Sequence, residues 1–115
     1  MKLSQIITLL DAKPLNEFDP DIEIMTACGA DLLSDVLAAK YDKALLLTGL
    51  TNIQVIRTAE ISDIKAVVFV RGKKPGNDII SLASQLSIPV MTTSYSMFAS
   101  CGILYKNGLN PGDSL

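Results

Sequence analysis

The hydrophobic positions near the start of the chain repeat first with the period of a helix and then with that of a strand. The first set lies at i, i+3, i+4 and i+7, which predicts a short amphipathic helix: Leu3, Ile6, Ile7 and Leu10. From Ile22 to Thr26 the alternation has a period of two, which predicts a strand that ends near Gly29. Asp31 is then expected to be the N-cap of a second helix, which ends near Lys40 and buries four side chains: Leu32, Leu33, Val36 and Leu37.

Three short apolar runs dominate the rest of the chain, and each leads into a segment with helical spacing. The runs are ALLLT, AVVFV and IPVMT at residues 44–48, 66–70 and 88–92, and the helical segments cover 53–60, 79–86 and 97–105. Strands that are apolar throughout and alternate with helices are typical of a parallel sheet covered on both faces. The pattern therefore predicts an α/β fold, a three-layer α/β/α single domain with a mainly parallel sheet.

Length and composition are consistent with one well-filled core. The chain has 115 residues, of which 49% are hydrophobic and 19% are charged. We expect residues 1–109 to form the domain and residues 110–115 to form a flexible C-terminal tail after the helix stop at Asn107-Gly108. No apolar run approaches the roughly 20 residues needed to span a bilayer, and the first residues do not resemble a secretion signal. We therefore expect a cytoplasmic protein without membrane contact.

The residue types present restrict the chemistry that the chain can perform. It contains no histidine, and its two cysteines, Cys28 and Cys101, are far apart in sequence. Serine–histidine and cysteine–histidine nucleophile pairs and histidine-containing zinc sites are thereby excluded. We predict no catalytic residue, no metal site and no cofactor. Two reduced thiols are expected, although the sequence alone leaves a disulfide between them open.

The charge is distributed unevenly but never densely. Residues 1–60 carry five basic and nine acidic side chains, residues 61–115 carry five basic and three acidic ones, and the net charge is −2. A protein held to nucleic acid by many phosphate contacts needs a concentrated basic face, and single strands also need aromatic stacking platforms. With only six Phe and Tyr residues and a weak positive bias in its second half, the chain is not expected to bind nucleic acid.

The turns after the apolar runs are the candidates for binding a ligand. In an open α/β sheet, ligands bind at the carboxyl ends of the strands, where helix N-termini favour anions. The candidate ligand-binding residues carry hydroxyls, flexible backbone or positive charge: Thr48, Gly49, Thr51, Asn52, Arg71, Gly72, Lys73, Lys74, Thr92, Thr93 and Ser94. Each turn also has a purely structural interpretation, in which Gly49 only forms a tight turn, Thr51 or Asn52 caps a helix, and the cations are solvated.

The last helix carries apolar side chains around almost its whole circumference, more than one sheet face can cover. Gly102 lies inside this helix, where a glycine costs about 1 kcal/mol relative to alanine, so a close contact is expected there. That contact is either with the domain's own sheet or with a second subunit. A two-fold homodimer is predicted, with an interface formed by five residues: Tyr95, Phe98, Gly102, Ile103 and Tyr105.

Three stretches together resemble a known family. They are TACGADLLSDVLA at residues 26–38, LLLTGLTNIQVIRTAEISDIKAVVFVRGKKP at 45–75 and TTSYSMFASCGILYKNGL at 92–109, and they resemble the DRTGG domain in its stand-alone form. That family is similar in fold to the N-terminal domain of HPr kinase/phosphorylase and recurs beside CBS domains and in multidomain phosphotransacetylases. The resemblance implies a regulatory or assembly role. The five-letter string that names the family does not occur here, so the resemblance supplies no ligand residues.

These observations predict a non-catalytic regulatory or assembly domain that self-associates and senses an anionic metabolite or nucleotide. One alternative is a purely structural module that binds a protein partner and leaves its turns empty. The other is a small phosphoryl or acyl transferase that uses Lys73 or Lys74 to neutralise charge.

Overall fold

A computed structural model describes residues 1–39 and 41–111 as five helices and five strands. The helices are α1 (Leu3–Leu10), α2 (Leu33–Ala38), α3 (Ile53–Ile61), α4 (Asn77–Gln85) and α5 (Met97–Lys106). The strands are β1 (Lys13–Pro14), β2 (Thr26–Gly29), β3 (Ala44–Thr48), β4 (Ile64–Phe69) and β5 (Val90–Thr92).

All five strands belong to one sheet, in the order β1-β5-β4-β3-β2. Strands β2 to β5 are parallel to their neighbours, and only the two-residue β1 pairs with β5 in the antiparallel direction. The three apolar runs form β3, β4 and β5, and each of these strands has a neighbouring strand on each side. The prediction of a mainly parallel sheet is confirmed.

Side chains of successive strand residues point to opposite faces of the sheet, so the apolar strands have two apolar faces. Helices cover both of them. One core contains Leu46, Val67 and Phe69 together with the buried side chains of α2, α3 and α4. The other contains Leu45 and Leu47 together with the buried side chains of α1 and α5. This arrangement confirms the three-layer α/β/α architecture.

The strand predicted from Ile22 is shorter than expected. Only Thr26–Gly29 forms a strand of the sheet, whereas the amide of Leu3 donates to the carbonyl of Ile22, and Ile24 donates to Met1. Ile24 is fully buried, so the alternation correctly indicated burial. The backbone partner of this segment is the N-terminus of the chain rather than β3.

The helix predicted after Asp31 differs in its cap and in its packing. It begins at Leu33, the flanking Leu32 provides no side-chain cap, and the Asp31 carboxylate bonds elsewhere. Val36 is buried, but Leu32 and Leu37 are 61% and 49% exposed. Leu33 is half-buried against the same core as Val36, so this helix of six residues, which is less than two turns long, packs with two of the four predicted side chains. The predicted end near Lys40 lies outside the described residues.

The last helix, α5, ends at the helix stop that the sequence predicted, Asn107-Gly108. Asn107 follows α5 as its C-cap, and Gly108 has a φ of 97°, a left-handed conformation that favours glycine. The chain then returns to the sheet, where the carbonyl of Asn110 accepts a hydrogen bond from the amide of Ala27. Of the segment predicted as a tail, residues 112–115 lie outside the described residues, and the domain boundary stays a prediction.

Candidate functional site

The three turns that follow β3, β4 and β5 are joined at one edge of the sheet. The amide of Val70 donates to the carbonyl of Thr48 at 3.0 Å, and the amide of Gly72 donates to the carbonyl of Thr93 at 2.7 Å. Arg71 also donates its amide to the carbonyl of Tyr95 at 2.8 Å. The backbone groups of these turns are therefore used largely to bind one another.

The turn after β4 is the most positively charged part of this edge. Arg71 and Gly72 both have positive φ, 59° and 67°, and the amide of Lys73 donates to the carbonyl of Val70, which closes a tight turn. Gly72 suits this conformation because it has no Cβ, whereas Arg71 adopts it at an energetic cost. Arg71, Lys73 and Lys74 are exposed and make no ion pair within the described part of the chain.

The hydroxyls after β5 have structural partners inside the fold. Thr92 donates its hydroxyl to the carbonyl of Lys73 at 2.7 Å, and Thr93 donates to the carbonyl of Leu10 at 2.6 Å. Both threonines are buried, while Ser94 is exposed. The two hydroxyls therefore tie this turn to the β4 turn and to α1, and only Ser94 faces solvent.

At the end of β3, a carboxylate of the chain occupies the groups expected to bind an anion. Asp31 accepts hydrogen bonds from the hydroxyl of Thr48 at 3.0 Å and from the amide of Gly49 at 2.7 Å. The Thr48 hydroxyl also accepts a bond from the amide of Leu50. A negative charge so close to Gly49 disfavours a second anion at the same position.

Of the structural interpretations of this turn, the helix cap is confirmed, and the bend at Gly49 does not depend on a left-handed glycine. The side chain of Asn52 accepts a hydrogen bond from the amide of Gln54, so Asn52 is the N-cap of α3. Gly49 does not take a left-handed conformation, and a Cβ there would make an ordinary contact of 3.5 Å with Asp31. Thr51 is exposed. The turn therefore does not require a glycine at position 49.

A second feature, absent from the sequence-based candidates, is an apolar cleft of about 370 Å³ between β2 and α5. Its lining has no charged side chain and includes residues of β2, of α5 and of the segment after α5: Ala27, Gly29, Leu47, Phe98, Cys101, Gly102, Leu104, Tyr105, Leu109, Asn110 and Pro111. Phe98 is 90% exposed and Tyr105 is 60% exposed. Three of the five predicted interface residues, Phe98, Gly102 and Tyr105, are therefore brought together here. Ile103 packs against the core that α1 covers, and Tyr95 bonds to the β4 turn.

The close approach expected at Gly102 occurs at Gly29 instead. A Cβ added at Gly29 would lie 2.7 Å from Sγ of Cys101 and 2.9 Å from Sδ of Met97, whereas nothing lies within 4 Å of a Cβ added at Gly102. The interpretation that Gly102 contacts the domain's own sheet is therefore wrong. Because α5 rests on the backbone of β2, the glycine that this packing requires is in the strand.

The two cysteines are free thiols that show no sign of activation. Burial raises the pKa of the Cys28 thiol to about 11, and burial also raises the pKa of Cys101. A thiol is a good nucleophile only when its pKa is lowered towards neutrality. Among residues 1–39 and 41–111, no three acidic or cysteine side chains are grouped closely enough to hold a metal ion. No described helix is both long enough and apolar enough to cross a bilayer.

Comparisons with known proteins bear on the fold. No protein-family model matches the sequence, and no curated protein matches it. Among solved structures, the chain matches the CBS and DRTGG domains of the regulatory region of Clostridium perfringens pyrophosphatase, crystallised with the activator diadenosine tetraphosphate. The TM-score is 0.72 and the sequence identity is 17%, and the match covers 96% of this chain and 48% of that one.

The chain thus spans about half the length of the matched structure. At this identity, the likeness shows the fold alone, and it supports the DRTGG-like fold that the sequence resemblance implied. The similarity to HPr kinase/phosphorylase stays a prediction.

Proposed function

We propose that this chain is a non-catalytic regulatory or assembly domain that self-associates through α5. The observation that carries the proposal is the exposure of Phe98, whose ring is 90% accessible at the rim of the cleft. A regulatory role is supported by the matched structure, which is part of the regulatory region of a pyrophosphatase complexed with a nucleotide activator.

The exposed side of α5 has the composition of an interface. Phe98, Gly102 and Tyr105 lie at i, i+4 and i+7 and so share one face of the helix, which we call the α5 face. Large aromatic side chains contribute much of the binding energy at protein interfaces, and Gly102 leaves room for a partner between the two rings. A two-fold pair of α5 faces would remove both rings from water.

Sedimentation velocity of the purified chain tests this proposal. We expect a dimer at micromolar concentration and a shift towards monomer for Phe98→Ser. The matched control is Ile61→Ser, because Ile61 is also an exposed hydrophobic residue, 72% accessible, but lies at the end of α3. A monomeric parent chain at high micromolar concentration, or equal effects of the two substitutions, would contradict the proposal.

Anion sensing at the strand-end turns is the second candidate function, and it is favoured by the exposed cations Arg71, Lys73 and Lys74. Each exposed cation is screened by salt and contributes little alone, so the three should matter together. Replacing all three with Ala should leave unfolding nearly unchanged and weaken binding of phosphate or nucleotide. Binding that is unaffected by the triple substitution and by added salt would mean that the anion binds elsewhere.

A further inference from the structure

The backbone of Gly29 presents hydrogen-bonding groups at the outer edge of the sheet. The amide of Ala30 donates to Leu47 of β3, so the carbonyl of Gly29, in the same peptide unit, points away from β3. The N–H and C=O of one extended residue point to the same side, so the Gly29 amide also points outward. Within the described part of the chain, no strand pairs with these two groups.

This open edge is too short for another strand. Two residues earlier along the same edge, the amide of Ala27 donates to the carbonyl of Asn110, and Pro111 follows Asn110 in the chain. One residue further on, the amide of Ala30 is turned inward to β3. Among residues 1–39 and 41–111, the edge left without a partner is therefore about one residue wide, enough for one donor–acceptor pair and not for a peptide strand, which needs several.

Gly29 is one of the residues that line the apolar cleft between β2 and α5. The cleft of about 370 Å³ contains Gly29 together with Phe98 and Tyr105. Small-molecule sites are typically clefts of about 300–1,000 Å³ with apolar walls and a few directed polar groups. Because the described residues of the lining carry no charged side chain, they suit an uncharged ring better than a phosphate.

From this geometry we propose that the cleft between β2 and α5 binds the planar heteroaromatic ring of a nucleobase. The Gly29 N–H would donate to a ring nitrogen, the Gly29 carbonyl would accept from the neighbouring exocyclic amine, and Phe98 or Tyr105 would stack on the ring. This inference goes beyond the proposed function, because it assigns a small-molecule ligand to the face through which the chain is proposed to self-associate. The ligand would also compete with a second copy for the α5 face.

Titration of the ¹⁵N-labelled chain with adenosine, followed by ¹H–¹⁵N NMR, tests the proposal. We expect a saturable shift of the Gly29 amide signal, and a smaller response or none to inorganic phosphate. Purine riboside, which lacks the exocyclic amine, should bind about threefold to tenfold more weakly, as expected for one lost hydrogen bond. Equal binding of the two nucleosides, or no saturable shift of Gly29 at millimolar adenosine, would overturn the proposal.

Two substitutions locate the site. Gly102→Leu should fill the cleft and abolish the shift, and it has open space at its Cβ. Its control is Lys106→Leu, which adds the same side chain to α5 outside the lining and should leave adenosine binding intact. Phe98→Ala should weaken binding by at least about fivefold through lost stacking, and it keeps the proposal testable if Gly102→Leu misfolds. Adenosine binding that survives both changes would contradict the assignment.

The same spectra separate this inference from self-association. If a second copy fills the cleft instead, the Gly29 signal will move with protein concentration and will not respond to adenosine. That result would overturn the ligand assignment and support the proposed dimer. A chain that stays monomeric but shows a saturable Gly29 shift would support the ligand assignment and contradict the proposed dimer.

Discussion

The carboxylate of Asp31 accepts a hydrogen bond of 2.7 Å from the amide of Gly49, across a separation of 18 residues in the chain. The same carboxylate oxygen also accepts from the Thr48 hydroxyl. An acid of the chain therefore joins the end of β2 to the end of β3. At this position a ligand-binding α/β domain would leave the amide available to an anion.

Removing this link should lower stability and release the Gly49 amide. We expect Asp31→Ala to lower the free energy of unfolding by about 1 kcal/mol, since the two bonds are partly solvated. Asp31→Asn keeps an acceptor oxygen and should lose less. Urea denaturation measures both effects. Phosphate titration of Asp31→Asn shows whether removing the negative charge allows an anion to bind at the Gly49 amide. An Asp31→Ala chain as stable as the parent would show that the bonds contribute nothing.

Alanine substitutions at Gly29 and Gly102 should have opposite effects on stability. At Gly29 the new Cβ would meet Sγ of Cys101 and Sδ of Met97, and because both are side-chain atoms that can move, we expect a loss of about 1 kcal/mol from overpacking. At Gly102 the Cβ meets nothing and the helix propensity improves, so stability should rise by up to about 1 kcal/mol.

A double variant checks the cause of the Gly29 effect. Adding Cys101→Ala to Gly29→Ala removes the nearer sulfur and should cost less than the two single substitutions together. Additive costs in thermal or urea unfolding would mean that the contact between Gly29 and Cys101 is not the origin of the loss.

The parts of the fold that sequence predicted well are those that local periodicity determines. Continuous apolar runs identified β3 and β4 as buried parallel strands, and the cap of α3 was narrowed to Thr51 or Asn52, of which Asn52 is the cap. The periodicity of apolar residues indicates which residues are buried, but it does not indicate which segment of the chain they contact. The alternation around Ile24 therefore predicted a strand of the sheet, although this residue bonds to Met1.

The candidate site was less predictable because it depends on contacts between distant residues. Nothing in the neighbourhood of Asp31 indicates that its carboxylate bonds to Thr48 and Gly49 rather than to its own helix. Gly29, at the end of β2, is the position where α5 packs closely on this strand. The close contact was predicted at Gly102 because glycine is unfavourable within a helix.

Two buried hydroxyls should respond in opposite ways to removal. Ser100 is fully buried and its hydroxyl has no partner within the described chain, so Ser100→Ala should raise the free energy of unfolding by about 1 kcal/mol. Thr93→Val removes a hydroxyl that donates to the buried carbonyl of Leu10, so it should lower the free energy by about 1–3 kcal/mol. Urea unfolding of both variants measures these changes in free energy. A loss of stability in Ser100→Ala would show that this hydroxyl has a partner.

Stability should fall as the pH rises above 9, because burial raises the pKa of Cys28 from its ordinary 9.0 to about 11. Between these two values the unfolded thiol has lost its proton while the folded thiol keeps it, so folding takes up a proton. The contribution of Cys28 is therefore complete below pH 9 and decreases as the pH approaches 11. The informative quantity is the difference between the parent chain and Cys28→Ala. The free energy of unfolding should decline more steeply with pH in the parent, and parallel curves from pH 8.5 to 10.5 would mean that Cys28 titrates normally in the folded state.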